Sequence, residues 1–250
     1  MIKFGVGTLY GIPLTDASGA AIANPTPVQF GILQEVQLEL SFDSKLLHGA
    51  YQLPVAFGRG KGKIEAKAKA ADLTAQAYAS LFFGNTVTAG IRSVVDNVAG
   101  TVPGTPYQIT PTVPSSGTWA TDLGVRYSST GIALTRVASG PAAGQYSVAA
   151  GVYTFAAADT AAAVLISYEY TATSTSQYQV PIANQLMGYA PSFQCQLSVP
   201  YNGKQKVIKL NNCVSSKLGL PFKNEDFSID DFDFMALADA SNNIGTVSIR

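Results

Sequence analysis

Four groups of residues in this chain have side chains able to do chemistry. Gly58-Arg59-Gly60-Lys61-Gly62-Lys63 has the glycines and cations of a phosphate-binding loop. Such loops lie between a strand and a helix N-terminus, where backbone N–H groups converge on the anion. This run instead leads into Ile64, Ala66, Ala68 and Ala70 alternating with Glu65, Lys67 and Lys69, which reads as a strand with a solvated basic face. His48 is the only histidine, so no histidine-pair metal motif exists, and no Gly-x-Ser-x-Gly nucleophile turn occurs. Asp230, Asp231 and Asp233 suggest a hard cation, but they lack the glycine spacing of a calcium loop and sit inside an apolar alternation. Cys195 and Cys213 make no disulfide framework, and Cys195 is in phase with Phe193, Leu197 and Val199, as a buried free thiol would be. The twelve tyrosines and twelve phenylalanines fall at strand spacing, which means core before sugar platform. The expectation is no enzyme: no catalytic residue, no cofactor site and no metal ligand.

The stretch around which the chain is organised is 32–70. Val36, Leu38, Leu40 and Phe42 alternate with Glu35, Gln37, Glu39, Ser41 and Asp43, a period of two that puts apolar side chains on one face of a sheet and polar ones on the other. The strand from Ile64 to Ala70 has the same pattern with lysines. Between them, 44–57 is expected to be a long loop.

A chain of 250 residues with 47% hydrophobic and 13% charged residues can bury a large core. That charged fraction is about half the usual value, and a surface so poor in charge is often completed by other copies. Sixteen basic and sixteen acidic residues cancel, which excludes a global field that would hold nucleic acid or an anionic membrane. Charge is segregated locally: residues 59–69 carry five positive charges and one negative, residues 225–239 six negative and none positive. No signal peptide is evident after Met1, and no apolar run approaches the roughly 20 residues of a membrane span. A soluble protein made in a reducing cytoplasm is expected.

Residues 1–31, rich in Gly and Pro, read as an extended arm tied down by Phe4, Val6, Leu9, Tyr10 and Ile12. One helix is predicted over 72–83, with Asp72 as N-cap, Leu73, Ala77 and Leu81 as its apolar stripe, and Gly84 just past its end. From 85 to about 178 the composition shifts to Ala, Ser, Thr, Gly, Val and Tyr. Turn signals at Pro103-Gly104, Ser116-Gly117, Thr130-Gly131 and Ala143-Gly144 punctuate short strands, including one with Val164, Ile166, Tyr168 and Tyr170 on one face. That spacing predicts an inserted small β-sandwich or barrel. After it the first grammar returns, with a strand at 192–199, a turn at Pro200-Tyr201-Asn202-Gly203, and a phase slip at Asp230-Asp231 that reads as a β-bulge.

The segments 33–43 and 53–64, followed by the 72–83 helix, resemble the major tail tube proteins of long-tailed bacteriophages, and the C-terminal hairpins resemble the second half of that fold. The resemblance covers about 150 residues in two pieces, and the middle domain is similar to small β modules of many phage structural proteins. It implies an all-β, tail-tube-like β-barrel/sandwich with one short helix, plus an inserted small β-sandwich-like domain. The parts are 1–84, the first piece of the tail-tube domain; 85–180, the insertion; and 181–250, the second piece. The implied function is a structural subunit of the tail tube. Subunits of that family self-assemble into stacked, hexameric rings whose inner strands form a continuous β-barrel, the channel for DNA ejection. The alternatives are another virion structural protein, a connector or decoration protein, or a carbohydrate-binding or depolymerase phage protein.

On this reading Val36, Leu38, Leu40, Phe42 and Ile64 form the assembly sheet. Glu35, Glu39, Asp231 and Asp233 face the lumen, and Lys45, His48, Tyr51 and Arg59 lie on an inter-ring loop. The partners implied are further copies of the chain and tail proteins such as the tape measure and the terminator. DNA passes through without specific binding, and nothing inserts in a membrane. The place implied is the virion tail, assembled in the host cytoplasm.

Overall fold

The computed structural model describes residues 5–250; Phe4, expected to help tie down the arm, lies outside them. Strands β1 (Thr8–Pro13), β2 (Val28–Gln29), β3 (Ile32–His48) and β4 (Pro54–Asp72) precede helix α1, which runs over Ala75–Ala77 and widens by one residue per turn over Tyr78–Phe82. Then come β5 (Thr88–Ala89), β6 (Ile91–Thr101), β7 (Gln108–Ile109), β8 (Thr118–Tyr127), β9 (Thr135–Arg136), β10 (Gln145–Ala149), β11 (Val152–Phe155), β12 (Ala163–Ala172) and β13 (Tyr178–Gln179). Strands β14 (Ser192–Tyr201), β15 (Lys204–Gly219), β16 (Asp230–Leu237) and β17 (Gly245–Ile249) complete an all-β chain with one short helix. It divides into two compact units, Met1–Val87 with Val180–Arg250, and Thr88–Gln179.

The first unit is one open sheet in the order β2-β1-β14-β15-β16-β4-β3, with β17 also paired to β15. Among the described residues it does not close into a barrel; β3 is left as a free edge. The arm is a sheet strand, β1 pairing with β14 from Thr8↔Ser198 to Pro13↔Phe193. Period-two alternation buries one face. Phe232 sits at its centre, with ring centroids 5.0 Å from Phe30, 6.1 Å from Phe193 and 6.2 Å from Phe82. Helix α1 lies over this face with Ala77 and Leu81 buried, as its spacing predicts, whereas Leu73, expected in the same stripe, is buried just before the helix begins. Its close approach depends on Gly11 of β1, where a Cβ would come within 2.4 Å of Leu81 Cδ1.

Two local expectations change. The helix cap is Thr74, whose hydroxyl accepts from the Ala77 N–H, because Asp72 is still in β4. The bulge is not at Asp230-Asp231, where pairing with β4 is regular from Asp230↔Ala70 to Ala236↔Ile64. It lies across the sheet in β15, between Ser215 and Lys217. The phase slips in sequence because β16 only begins at Asp230.

The second unit has sheets β6-β12-β8 and β7-β11-β10-β9 and a short β5-β13 pair. Val164, Ile166, Tyr168 and Tyr170 of β12 are buried along one face, with Tyr146, Tyr153 and Phe155 in the same core. The Ala150-Gly151 turn, with φ of 47° and 84°, joins β10 and β11 as a tight hairpin. Polar groups inside this core are paired. Asp122, its side chain 3% exposed, accepts from Tyr146 (2.8 Å) and Tyr153 (3.2 Å), and Asp159 accepts from Tyr127 (2.7 Å).

Candidate assembly surface

The charged face of the first unit is set by strand register. Residues directly opposite on antiparallel strands point to the same side, and here Glu35, Lys69 and Asp231 fall in one row across β3, β4 and β16. The next row is Gln37, Lys67, Asp233 and, on β15, Lys217. Carboxylates and ammonium groups thus alternate across the strands, while like charges follow one another along β4 (Lys69, Lys67) and β16 (Asp231, Asp233), around a depression of about 250 Å³. Lys69 Nζ donates to Glu35 Oε2 at 2.8 Å. That hydrogen bond, and next the Glu35 charge, hold the Lys69 pKa above its ordinary value. One row further the pattern breaks: Glu39 stands opposite Glu65, which is 3.2 Å from Lys63 on its own strand.

The expected lumen-facing residues Glu35, Glu39, Asp231 and Asp233 therefore share one face. It is a face striped by strand, not the strongly negative one that those four carboxylates suggest alone, because Lys67, Lys69 and Lys217 lie among them. Asp230 points to the other side, where it accepts from the Tyr78 hydroxyl at 2.7 Å, so the three aspartates do not converge. Among the described residues no three His, Cys, Asp or Glu side chains are grouped to hold a metal ion.

The opposite face of the same strands is apolar. Val36 and Leu38 pack against the core, in line with Ala68 and Ala66. Beyond them the core ends while the strands continue. Leu40 is 59% exposed and Phe42 44%, so these two of the five expected assembly-sheet residues lie outside the core of the single chain. Ile64 is half-buried at the boundary.

Residues 44–57 are not a loop. Strands β3 and β4 stay paired through Ser44↔Arg59 and Leu46↔Phe57 to His48↔Pro54, leaving only 49–53 as the turn. Of the expected inter-ring residues, Tyr51 lies in that turn, Lys45 and His48 on β3 and Arg59 on β4. Pairing of β4 with β16 stops at Ile64, so below it β3 and β4 form a ribbon paired only with itself. Gly62 lets it twist closely, for a Cβ there would meet the Phe42 ring at 2.5 Å. The Arg59 guanidinium lies 4.4 Å from the centre of that ring.

The ribbon exposes Leu46, Leu47, Leu53, Val55 and Phe57 besides Tyr51. Sequence reasoning passed over these because Gly58, Gly60, Pro54 and His48 broke the alternation and made a loop the natural expectation. The signal was present in the pairing of apolar positions 46 and 47 with 57 and 56 about a central turn.

Cys195 and Cys213 are both buried free thiols. Burial pushes Cys213 up to about 12 and raises Cys195 well above its ordinary value, which leaves neither as a nucleophile. Compared with known proteins, the chain matches no family model and no curated sequence.

Proposed function

We propose that this chain is a structural subunit that assembles with copies of itself into the stacked rings of a bacteriophage tail tube. The observation that carries this reading is the ribbon, whose two strands leave the sheet and expose Leu46, Leu47, Leu53, Val55 and Phe57 outside the core of the chain. Contiguous exposed apolar surface on a soluble protein marks an interaction site. The free edge of β3 adds a second, since an unpaired strand is a template for another chain. Ring closure through such edges joins the sheets of neighbouring copies, and the charged face of β3, β4, β16 and β15 then lines the bore. A wall in which lysines stand among carboxylates, as Lys69 does 2.8 Å from Glu35, suits passage of DNA. Each lysine already beside a carboxylate releases fewer counterions from the phosphates, so the strand is not held.

The test is direct. Purified protein, imaged by negative stain and sized by sedimentation, is expected to form rings or hollow tubes. A monodisperse monomer at every concentration tried would refute the proposal.

A further inference from the structure

Two patches of opposite charge lie at opposite ends of one strand. At one end the ribbon carries Lys45, Arg59, Lys61 and Lys63 against one acidic residue, Asp43, with Lys63 held 3.2 Å from Glu65. At the other, the segment 220–229 that leads into β16 carries Glu225 and Asp226 against one lysine, Lys223. That lysine is already held by Asp226 at 3.2 Å. Both patches also expose large apolar side chains: Tyr51 is 84% exposed in the ribbon turn, and Phe222 is 92% and Phe227 86% exposed in the acidic segment.

The register fixes their separation. Ala70 of β4 pairs with Asp230 where the acidic segment enters the sheet, and the ribbon turn precedes Pro54 at the other end of the same strand. At about 3.3 Å per residue, roughly 50 Å of strand lies between the ribbon turn and the acidic segment, and roughly 30 Å between Lys61 and that segment. The two patches of one chain therefore cannot meet, whereas those of two chains can. A contact between different patches of identical subunits is heterologous, and repeats without limit unless a rotation closes it.

We propose that the ribbon of one copy docks on the segment 220–229 of the next, basic residues facing Glu225 and Asp226 and the ribbon's apolar side chains meeting Phe222 and Phe227. This rests on the self-assembly reading and deepens it, since it names the two surfaces that stack and makes the stacking polar, head to tail. The occupant is a second copy because the matching surface, with the right charge and apolar content, is on this chain. Screening within about 8 Å at 0.15 M salt confines the charge effect to direct contact.

The experiment compares four full-length chains: wild type, Lys45→Glu/Lys61→Glu, Glu225→Lys/Asp226→Lys, and the chain with all four changes. The readout is the protein concentration at half-assembly, measured by sedimentation at 0.15 M salt, with circular dichroism to confirm folding. Each two-site reversal is expected to raise that concentration at least tenfold. The four-site chain, in which both patches change sign, is expected to return to within about threefold of wild type. Stacking that is unchanged in either two-site variant, or not restored in the four-site chain, overturns this contact while leaving self-assembly standing. A wild-type chain that remains monomeric overturns both.

Discussion

At the scale of single residues, the polar groups that matter for stability are buried tyrosines, concentrated in the Thr88–Gln179 unit. Burial first, and the hydrogen bond to Asp122 next, push the Tyr146 hydroxyl well above its ordinary value. Burial likewise raises Tyr127, Tyr153 and Tyr168. In the first unit the corresponding group is Tyr78, raised by burial and then by Asp230. The sign follows from proton counting. Below a pH of about 10 tyrosine is neutral in both folded and unfolded chains, and nothing is gained or lost. Above it the unfolded chain ionises while the fold holds these hydroxyls neutral. The unfolded state then binds fewer protons, and stability falls as pH rises. Alkaline titration followed at the tyrosinate absorbance should show these hydroxyls ionising only together with loss of the tertiary circular dichroism. If all twelve tyrosines titrate near pH 10 with the fold intact, the Asp122 and Asp159 networks do not hold them.

At the scale of elements, the same period-two pattern serves two purposes, and substitutions separate them. Phe232 is 1% exposed and edge-on to Phe30, Phe82 and Phe193. Phe232→Ala is expected to cost about 3–5 kcal/mol by denaturant unfolding, because the cavity cannot collapse around three fixed rings. Phe57 is on the free ribbon, so Phe57→Asp is expected to change the subunit's own stability by no more than about 0.5 kcal/mol, yet to block sedimentation of assemblies. A large loss of stability in Phe57→Asp would mean that the ribbon belongs to the subunit's core. This division also explains what the sequence made legible. Alternation located β3, the upper half of β4, β12 and β14 because one face of each is buried. The ribbon was missed because neither of its faces is buried in the single chain, so its glycines and prolines outweighed a pattern that only a partner would complete. The helix was legible in its stripe and not in its cap, since Thr74 and Asp72 are both good caps and only the end of β4 decides between them. The alternation of charge across strands needed the register of β16 on β4: no spacing within either strand places Asp231 beside Lys69.

At the scale of the whole molecule, the second unit is an insertion whose two crossings are side by side. Strands β5 and β13 pair with Thr88↔Gln179 and Ala89↔Tyr178, so the chain leaves and re-enters as neighbouring antiparallel strands, about 5 Å apart. An element joined in this way constrains the host sheet little, since the host sees only two adjacent ends. The first unit has its own core around Phe232, and the hydrophobic cluster of the second contains none of the residues in it. Loop-closure entropy changes slowly with length, roughly 0.6 kcal/mol per doubling, so a short bridge should leave the sheet as stable or slightly more so. Replacing Thr88–Gln179 by a four-residue Gly/Ser bridge is therefore expected to retain the strand signature in circular dichroism and the denaturation midpoint of the first unit. If the ribbon and the sheet edges carry assembly, the shortened chain should also form rings or tubes in negative stain, with less mass per subunit. A shortened chain that keeps its unfolding midpoint but no longer assembles would place the second unit in the contact between copies, and the ribbon alone would not account for assembly.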